Sequence, residues 1–311
     1  MQSEKQPRPN FFLIGAPKCG TTSLSEYLRT HPKVCFSDPK EPHYFNTDYP
    51  WLQRTFTERA YLDQAFAHRS PEHVAVGEGS VFYLLSRAAV PNILRFNPEA
   101  KILVMIRNPI DMVQSLHHQN VYAQIETEAD FEQAWRRMAE RREGRSIPRR
   151  CRVPTLLLYD EMGRLGEQLG RVAKLVPGER LKVIIFDDLI EDALGVYRNV
   201  LDFLGLEYDG RIMFPVANPS RIQADWYRRF FGGLPTGIDA AVRNFRRVFG
   251  MREFGIRRRL GELTTQLTMR RPLSAELHRE LIGCFDAEIE KLSNLVGRDL
   301  SGWLRAPTAS P

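Results

Sequence analysis

The stretch Gly15-Ala-Pro-Lys-Cys-Gly-Thr-Thr-Ser-Leu24 sets two glycines and one cation ahead of three consecutive hydroxyls. A glycine-framed loop of this kind cradles phosphates, because its backbone N–H groups approach an anion closely and the start of the following helix adds partial positive charge. In the template G-x-x-x-x-G-K-[ST], the lysine follows the second glycine and reaches terminal phosphates beside a Mg²⁺-binding hydroxyl. Here Thr21 follows Gly20, and the lysine, Lys18, lies inside the loop. The loop therefore offers a cation to a departing phosphate, but not at the position that magnesium-assisted phosphoryl transfer uses. Its candidate anion ligands are Pro17, Lys18, Cys19, Gly20, Thr21, Thr22 and Ser23.

A second constellation is Arg107-Asn-Pro-Ile-Asp-Met-Val-Gln-Ser115, directly after the apolar run KILVMI. Asn108 suits a helix cap and Pro109 the first helical position. Arg107 is then expected at the carboxyl end of a central strand, the edge where open α/β sheets bind ligands. Ser115 falls two turns into the helix, and an arginine with a hydroxyl can share one phosphate. A third, KEPHYF at 40–45, holds Glu41 and His43 two residues apart. On an extended segment both side chains point the same way, and either could accept a proton. The alternative is that Glu41 pairs with Lys40 or an arginine and His43 is a satisfied polar residue. Late in the chain, VANPSR offers Asn218 and Arg221, while Tyr159 and the basic 142–152 stretch are candidates to line a cleft.

These groups need a frame. Five short apolar segments, at 11–15, 33–37, 74–78, 101–106 and 181–186, alternate with helical patterns, which implies a parallel sheet covered on both faces. Leu158, Met162, Leu165, Leu169, Val172 and Val176 step by threes and fours, predicting one helix that ends at Pro177-Gly178. Leu277, Leu281, Phe285, Ile289 and Leu292 predict another, with Ser274 as its cap. No linker divides the chain, so one domain over 11–305 is expected between flexible segments at 1–10 and 306–311. Irregular stretches at 142–154 and 215–237 are candidate active-site loops.

Composition narrows the class. Over 311 residues, 43% hydrophobic and 26% charged are values of an ordinary soluble globular protein. The longest apolar runs are strand length, far short of the roughly 20 residues of a membrane span. The first ten residues lack the apolar core of a secretory signal, so a cytoplasmic location is expected. Cys19, Cys35, Cys151 and Cys284 show no metal-ligand or disulfide spacing and are expected as reduced thiols. The net charge of +6 is concentrated in arginines such as those from 136 to 152, read as a solvated face or as a field that attracts anions. No aromatic and basic interleaving suggests nucleic acid.

PKCGTTSL followed by RNPxDxxxS resembles the cytosolic and carbohydrate sulfotransferases. The resemblance continues through KEPHYF at 40–45, GEGSVFYL at 77–84, FDDL at 186–189, FLGL at 203–206 and GRDLSGW at 297–303. It implies an α/β fold, a P-loop NTPase-like three-layer sandwich with a central five-stranded parallel sheet. It implies 3′-phosphoadenosine 5′-phosphosulfate (PAPS) as sulfuryl donor, adenosine 3′,5′-bisphosphate as product and no metal. The first loop would hold the 5′-phosphosulfate, with Lys18 stabilising the leaving phosphate. Arg107 and Ser115, with Arg221 and Asn218, would hold the 3′-phosphate. Similarity to the heparan-type enzymes assigns the general base to Glu41, with His43 as assistant or alternative, and favours a carbohydrate hydroxyl or amine as acceptor, with a lipid or small alcohol also open. Related enzymes usually read E-K-[ST] where this chain has Glu78-Gly79-Ser80, so one expected cation is missing. Two other classes compete: a P-loop kinase, with Asp187-Asp188 as its magnesium-binding acids, and a non-catalytic binder of anionic glycans.

Overall fold

The computed structural model describes residues 8–215 and 273–305, together with the backbone of 221–223 and 265–267. Runs apolar on both faces are stable only where both faces are covered, which is the condition of a parallel sheet. The strands β1 (Phe11–Leu13), β2 (Val34–Phe36), β3 (Ala75–Gly79), β4 (Lys101–Ile106) and β5 (Leu181–Ile185) build that sheet in the order β2-β3-β1-β4-β5. All its pairings are parallel, and Phe12 stands opposite Glu78 on one side and Ile102 on the other. The whole of Phe11–Ile14 and Ile102–Ile106 is inaccessible to solvent. The expected α/β sandwich is the architecture observed.

Helices link the strands. The first, α1 (Thr21–Arg29), follows β1; α2 (Glu58–Ala65) lies between β2 and β3, and α3 (Ala89–Phe96) between β3 and β4. Between β4 and β5 come α4 (Pro109–Tyr122), α5 (Phe131–Arg136), α6 (Met138–Arg142), α7 (Tyr159–Met162) and α8 (Leu165–Ala173). Then follow α9 (Phe186–Glu191), α10 (Ala193–Leu204) and α11 (Ala275–Val296). A small antiparallel pair joins β6 (Arg221–Gln223) to β7 (Thr265–Leu267), and β6 runs beside α4.

The closing helix forms as its apolar spacing predicts. Ser274 caps α11 by accepting from the Leu277 N–H at 3.1 Å, and Leu277, Leu281, Phe285, Ile289 and Leu292 are its buried stripe. The helix expected over 158–176 is instead two, interrupted at Gly163. A Cβ at Gly163 would lie 2.3 Å from the Phe285 ring, and one at Gly166 would lie 2.5 Å from the Glu288 carbonyl oxygen. Close approach of α11 requires the glycines, and the apolar stripe continues across the break because both pieces pack on the same core.

Of the eight arginines from 136 to 152, five form ion pairs, of which Arg142 and Arg145 lie in the 142–152 stretch. Arg136 meets Glu276 and Glu280, Arg137 meets Glu128, and Arg142 meets Asp160. Arg141 is buried with Glu126 at 2.7 Å, and the Tyr159 hydroxyl donates to the same carboxylate at 3.0 Å. Tyr159 is fully buried, so it is a core residue and not the cleft residue expected. Among the described residues, no helix is long and apolar enough to cross a membrane.

Candidate active site

The first loop leaves β1 and enters α1 through Gly20, whose φ of +85° lies in the left-handed region. A Cβ there would also sit 2.8 Å from the Phe186 ring, so both conformation and space demand glycine. Gly20 brings no capping side chain, and the first turn of α1 holds no acid. The amide end of the helix is therefore left to an anion. Cys19 is buried, its thiol donating to the Pro17 carbonyl oxygen at 3.4 Å. Burial pushes that thiol up to about 12 against the fields of Arg107 and Lys18, which act in the opposite direction. Cys19 is thus a neutral packing residue with its backbone alone to offer, and both cations converge on the loop. Of the three hydroxyls, Thr21 and Ser23 are buried, Ser23 bonding Tyr27, and Thr22 is the more open.

The second motif forms as its residues suggest. The Asn108 side chain accepts from the Ile110 N–H at 3.0 Å and Pro109 opens α4, which leaves Arg107 at the carboxyl end of β4. Its guanidinium lies 4.7 Å from the centre of the Phe186 ring, the same ring that packs on Gly20. One terminal nitrogen reaches Asp111 at 3.3 Å, whereas Nε is buried with no hydrogen-bond partner. Asn108 also donates to the Trp303 carbonyl oxygen at 2.9 Å, and the Trp303 indole donates to Asp187 at 2.7 Å. Arg298 pairs with Asp188 at 2.6 Å. The closing GRDLSGW segment thus braces the motif, and it engages both acids on which a magnesium-binding reading depended. Ser115 is buried in α4. Arg221 lies in β6 beside that helix, its side chain outside the described residues, as is the whole of Asn218.

Glu41 and His43 meet by a route other than the one expected. The segment is not extended: φ is +66° at Glu41 and +52° at His43. Even so, Glu41 Oε2 lies 3.2 Å from His43 Nε2, while Oε1 takes the Lys40 ammonium at 3.1 Å. The Glu41 side chain is 30% exposed and that of His43 only 8%. Of the two, the carboxylate is the one an incoming molecule can reach. Burial acts to raise its pKa but is outweighed by the hydrogen bond and charge of His43 and by Lys40, so it lies below the ordinary carboxylate value.

Residues 8–225, well over half of the chain, match the model of the sulfotransferase domain. The chain belongs to the sulfotransferase family. It is 32% identical to carbohydrate sulfotransferase 15 of Mus musculus over 34% of this chain and 26% of that protein. It is 27% identical to heparan sulfate glucosamine 3-O-sulfotransferase 6 of Homo sapiens over 64% of this chain and 53% of that protein. The matches thus span about a quarter to a half of these relatives. A crystal structure of a sulfotransferase from Alicyclobacillus acidocaldarius superposes with a TM-score of 0.69 at 28% identity, covering 96% of this chain and all of that one.

Where relatives of this family carry a lysine, Gly79 faces the Phe36 ring, which a Cβ would meet at 3.0 Å, with the Lys40 stem alongside at 3.6 Å. Lys40 carries its ammonium to Glu41 at 3.1 Å. The turn after Gly79 also joins the two loops: the Ser80 N–H donates to the Leu13 carbonyl oxygen at 3.1 Å and the Leu84 N–H to that of Ile14 at 2.8 Å. Glu78, which no sequence motif marks as a site residue, is fully buried against Tyr61, Ser80 and Tyr83.

Proposed function

We propose that this protein transfers the sulfuryl group of PAPS to a hydroxyl or amine of an acceptor, with Glu41 as general base and Lys18 stabilising the leaving phosphate, residues 11–305 acting as one domain. The observation that carries this reading is the buried, unpartnered Nε of Arg107 at the same sheet edge as the acid-free start of α1. A ligand with phosphate at both ends answers both features: Arg107, with Ser115 and Arg221, would hold one phosphate, and the Pro17–Ser23 loop the other. A sulfuryl group carries less charge than a phosphoryl group, so a fixed cation and oriented N–H groups suffice to stabilise the departing phosphate. The carbohydrate and heparan sulfate glucosamine sulfotransferases among the relatives support a carbohydrate acceptor. Screening carbohydrate acceptors with radiolabelled PAPS tests that part.

Adenosine 3′,5′-bisphosphate in EDTA is expected to raise the melting temperature. A ligand at 100 times its dissociation constant adds about 2.7 kcal/mol, well within reach of a thermal-shift measurement. Stabilisation by Mg-ATP alone would sink the proposal and restore the kinase alternative.

Lys40 also yields an expected result. Its charge helps hold the Glu41 pKa down, so Lys40→Met raises that pKa and moves the acid limb of the kcat/KM profile to higher pH. An acid limb that stays in place would separate Lys40 from the base.

A further inference from the structure

Glu78 lies on β3 opposite Phe12, at the centre of the sheet, and is fully buried. Two hydroxyls donate to it, Tyr61 from α2 to Oε2 and Ser80 to Oε1 at 2.8 Å, and Tyr83 packs beside the same carboxyl group, whose pKa burial raises. The Ser80 hydroxyl spends its single proton on Glu78 and faces its other neighbour with lone pairs alone, and the Tyr83 oxygen also accepts on its far side. For Ser80 that neighbour is the backbone N–H of His43, and for Tyr83 it is the backbone N–H of Phe45, both at 3.1 Å. The Ser80 relay therefore runs from amide to hydroxyl to the Glu78 carboxyl group, and the Tyr83 oxygen accepts the Phe45 amide beside the same group.

The turn held by these relays is the one that carries Glu41 and His43, both in a left-handed conformation that residues other than glycine rarely adopt. Such a turn is fixed from outside or not at all. The same segment places the imidazole, which stacks on Phe82 with ring centres 5.8 Å apart and meets Tyr83 edge-on at 6.2 Å. His43 Nε2 in turn meets Glu41. A continuous chain of contacts thus joins a fully buried carboxyl group to the proposed base.

We infer that Glu78 is a positioning residue for proton acceptance, fixing through Ser80 and Tyr83 the turn that aims Glu41. The inference rests on the assignment of that turn to the base. In Glu78→Gln an amide edge replaces one acceptor oxygen, so the Tyr61 and Ser80 hydroxyls compete for what is left or one reverses its proton against another donor. Ser80→Ala with Tyr83→Phe cuts the same relays at their other end.

The test follows the imidazole ¹⁵N–¹H signal of His43, assigned by its loss in His43→Gln, together with turnover of radiolabelled PAPS against water and a desulfated heparan oligosaccharide. Glu78→Gln, and separately the Ser80→Ala/Tyr83→Phe pair, are expected to shift the His43 signal. Turnover is expected to fall by up to about 10²-fold, the scale on which small misplacements of a catalytic group act. Affinity for adenosine 3′,5′-bisphosphate stays within about twofold, because the turn meets β1 through backbone bonds from Ser80 and Leu84 that these side-chain changes leave in place. Adding Glu78→Gln to the pair causes little further loss, because both act on one path. A His43 signal and turnover equal to wild type in either variant, or losses that add in full, overturn the inference. If Glu78→Gln fails to fold, the Ser80→Ala/Tyr83→Phe pair decides alone. Failure of the transferase proposal shows separately, as wild-type protein that does not bind the bisphosphate.

Discussion

Glu41→Gln lowers turnover by about 10² to 10⁴-fold, the usual contribution of a general base, and leaves the thermal shift with adenosine 3′,5′-bisphosphate intact. Gln preserves size and can still accept from Lys40 or His43, so the substitution removes the proton acceptor and its charge while sparing the turn. Burial pulls the Glu41 pKa upward and is outweighed by His43 and Lys40, whose combined effect holds it below the ordinary carboxylate value. The basic form is therefore the one present at neutral pH, and the acid limb that titrates Glu41 disappears from the pH–rate profile of the variant. Wild-type turnover would move the base to His43, whose Nδ1 is buried without a hydrogen-bond partner.

Lys18→Met is expected to cost about 10² to 10³-fold in turnover, the scale found when one electrostatic donor is removed from a developing negative charge. Its signature differs from that of Glu41→Gln. A cation on a phosphate acts in the ground state as well as the transition state, so affinity for the bisphosphate weakens along with the rate. Measuring the dissociation constant and kcat on the same preparation separates the two roles. Turnover and affinity both equal to wild type would remove Lys18 from the site.

Much of the structure around the proposed donor loop was legible in the sequence because its geometry is local. A strand, a glycine loop and a helix start lie within 15 residues in GAPKCGTTSL and its flanks, and Asn108-Pro109 announces its own cap. The stripe of α11 was legible for the same reason. The Glu78 hub was not, since its bonds join residues far apart in the chain: Tyr61 to Glu78, His43 to Ser80, Phe45 to Tyr83. Spacing within GEGSVFYL carries no trace of them. The proximity of Glu41 and His43 was expected from strand alternation, but left-handed backbone brings them together instead. The basic stretch misled in the opposite direction. Its partners Glu126, Asp160, Glu276 and Glu280 come from separate parts of the chain, so composition could not reveal that part of the charge was already matched. The helix over 158–176 was drawn too long because an apolar stripe records which face is buried and is silent on whether the backbone beneath it is continuous.

The order β2-β3-β1-β4-β5 also bears on how such a protein can diversify. The proposed base follows β2 and the proposed nucleotide ligands follow β1 and β4, so β3 separates them like a partition, at about 4.8 Å per strand. Exchanging residues 46–57, which follow the turn of Glu41 and His43, is then expected to alter acceptor use while leaving affinity for adenosine 3′,5′-bisphosphate in place.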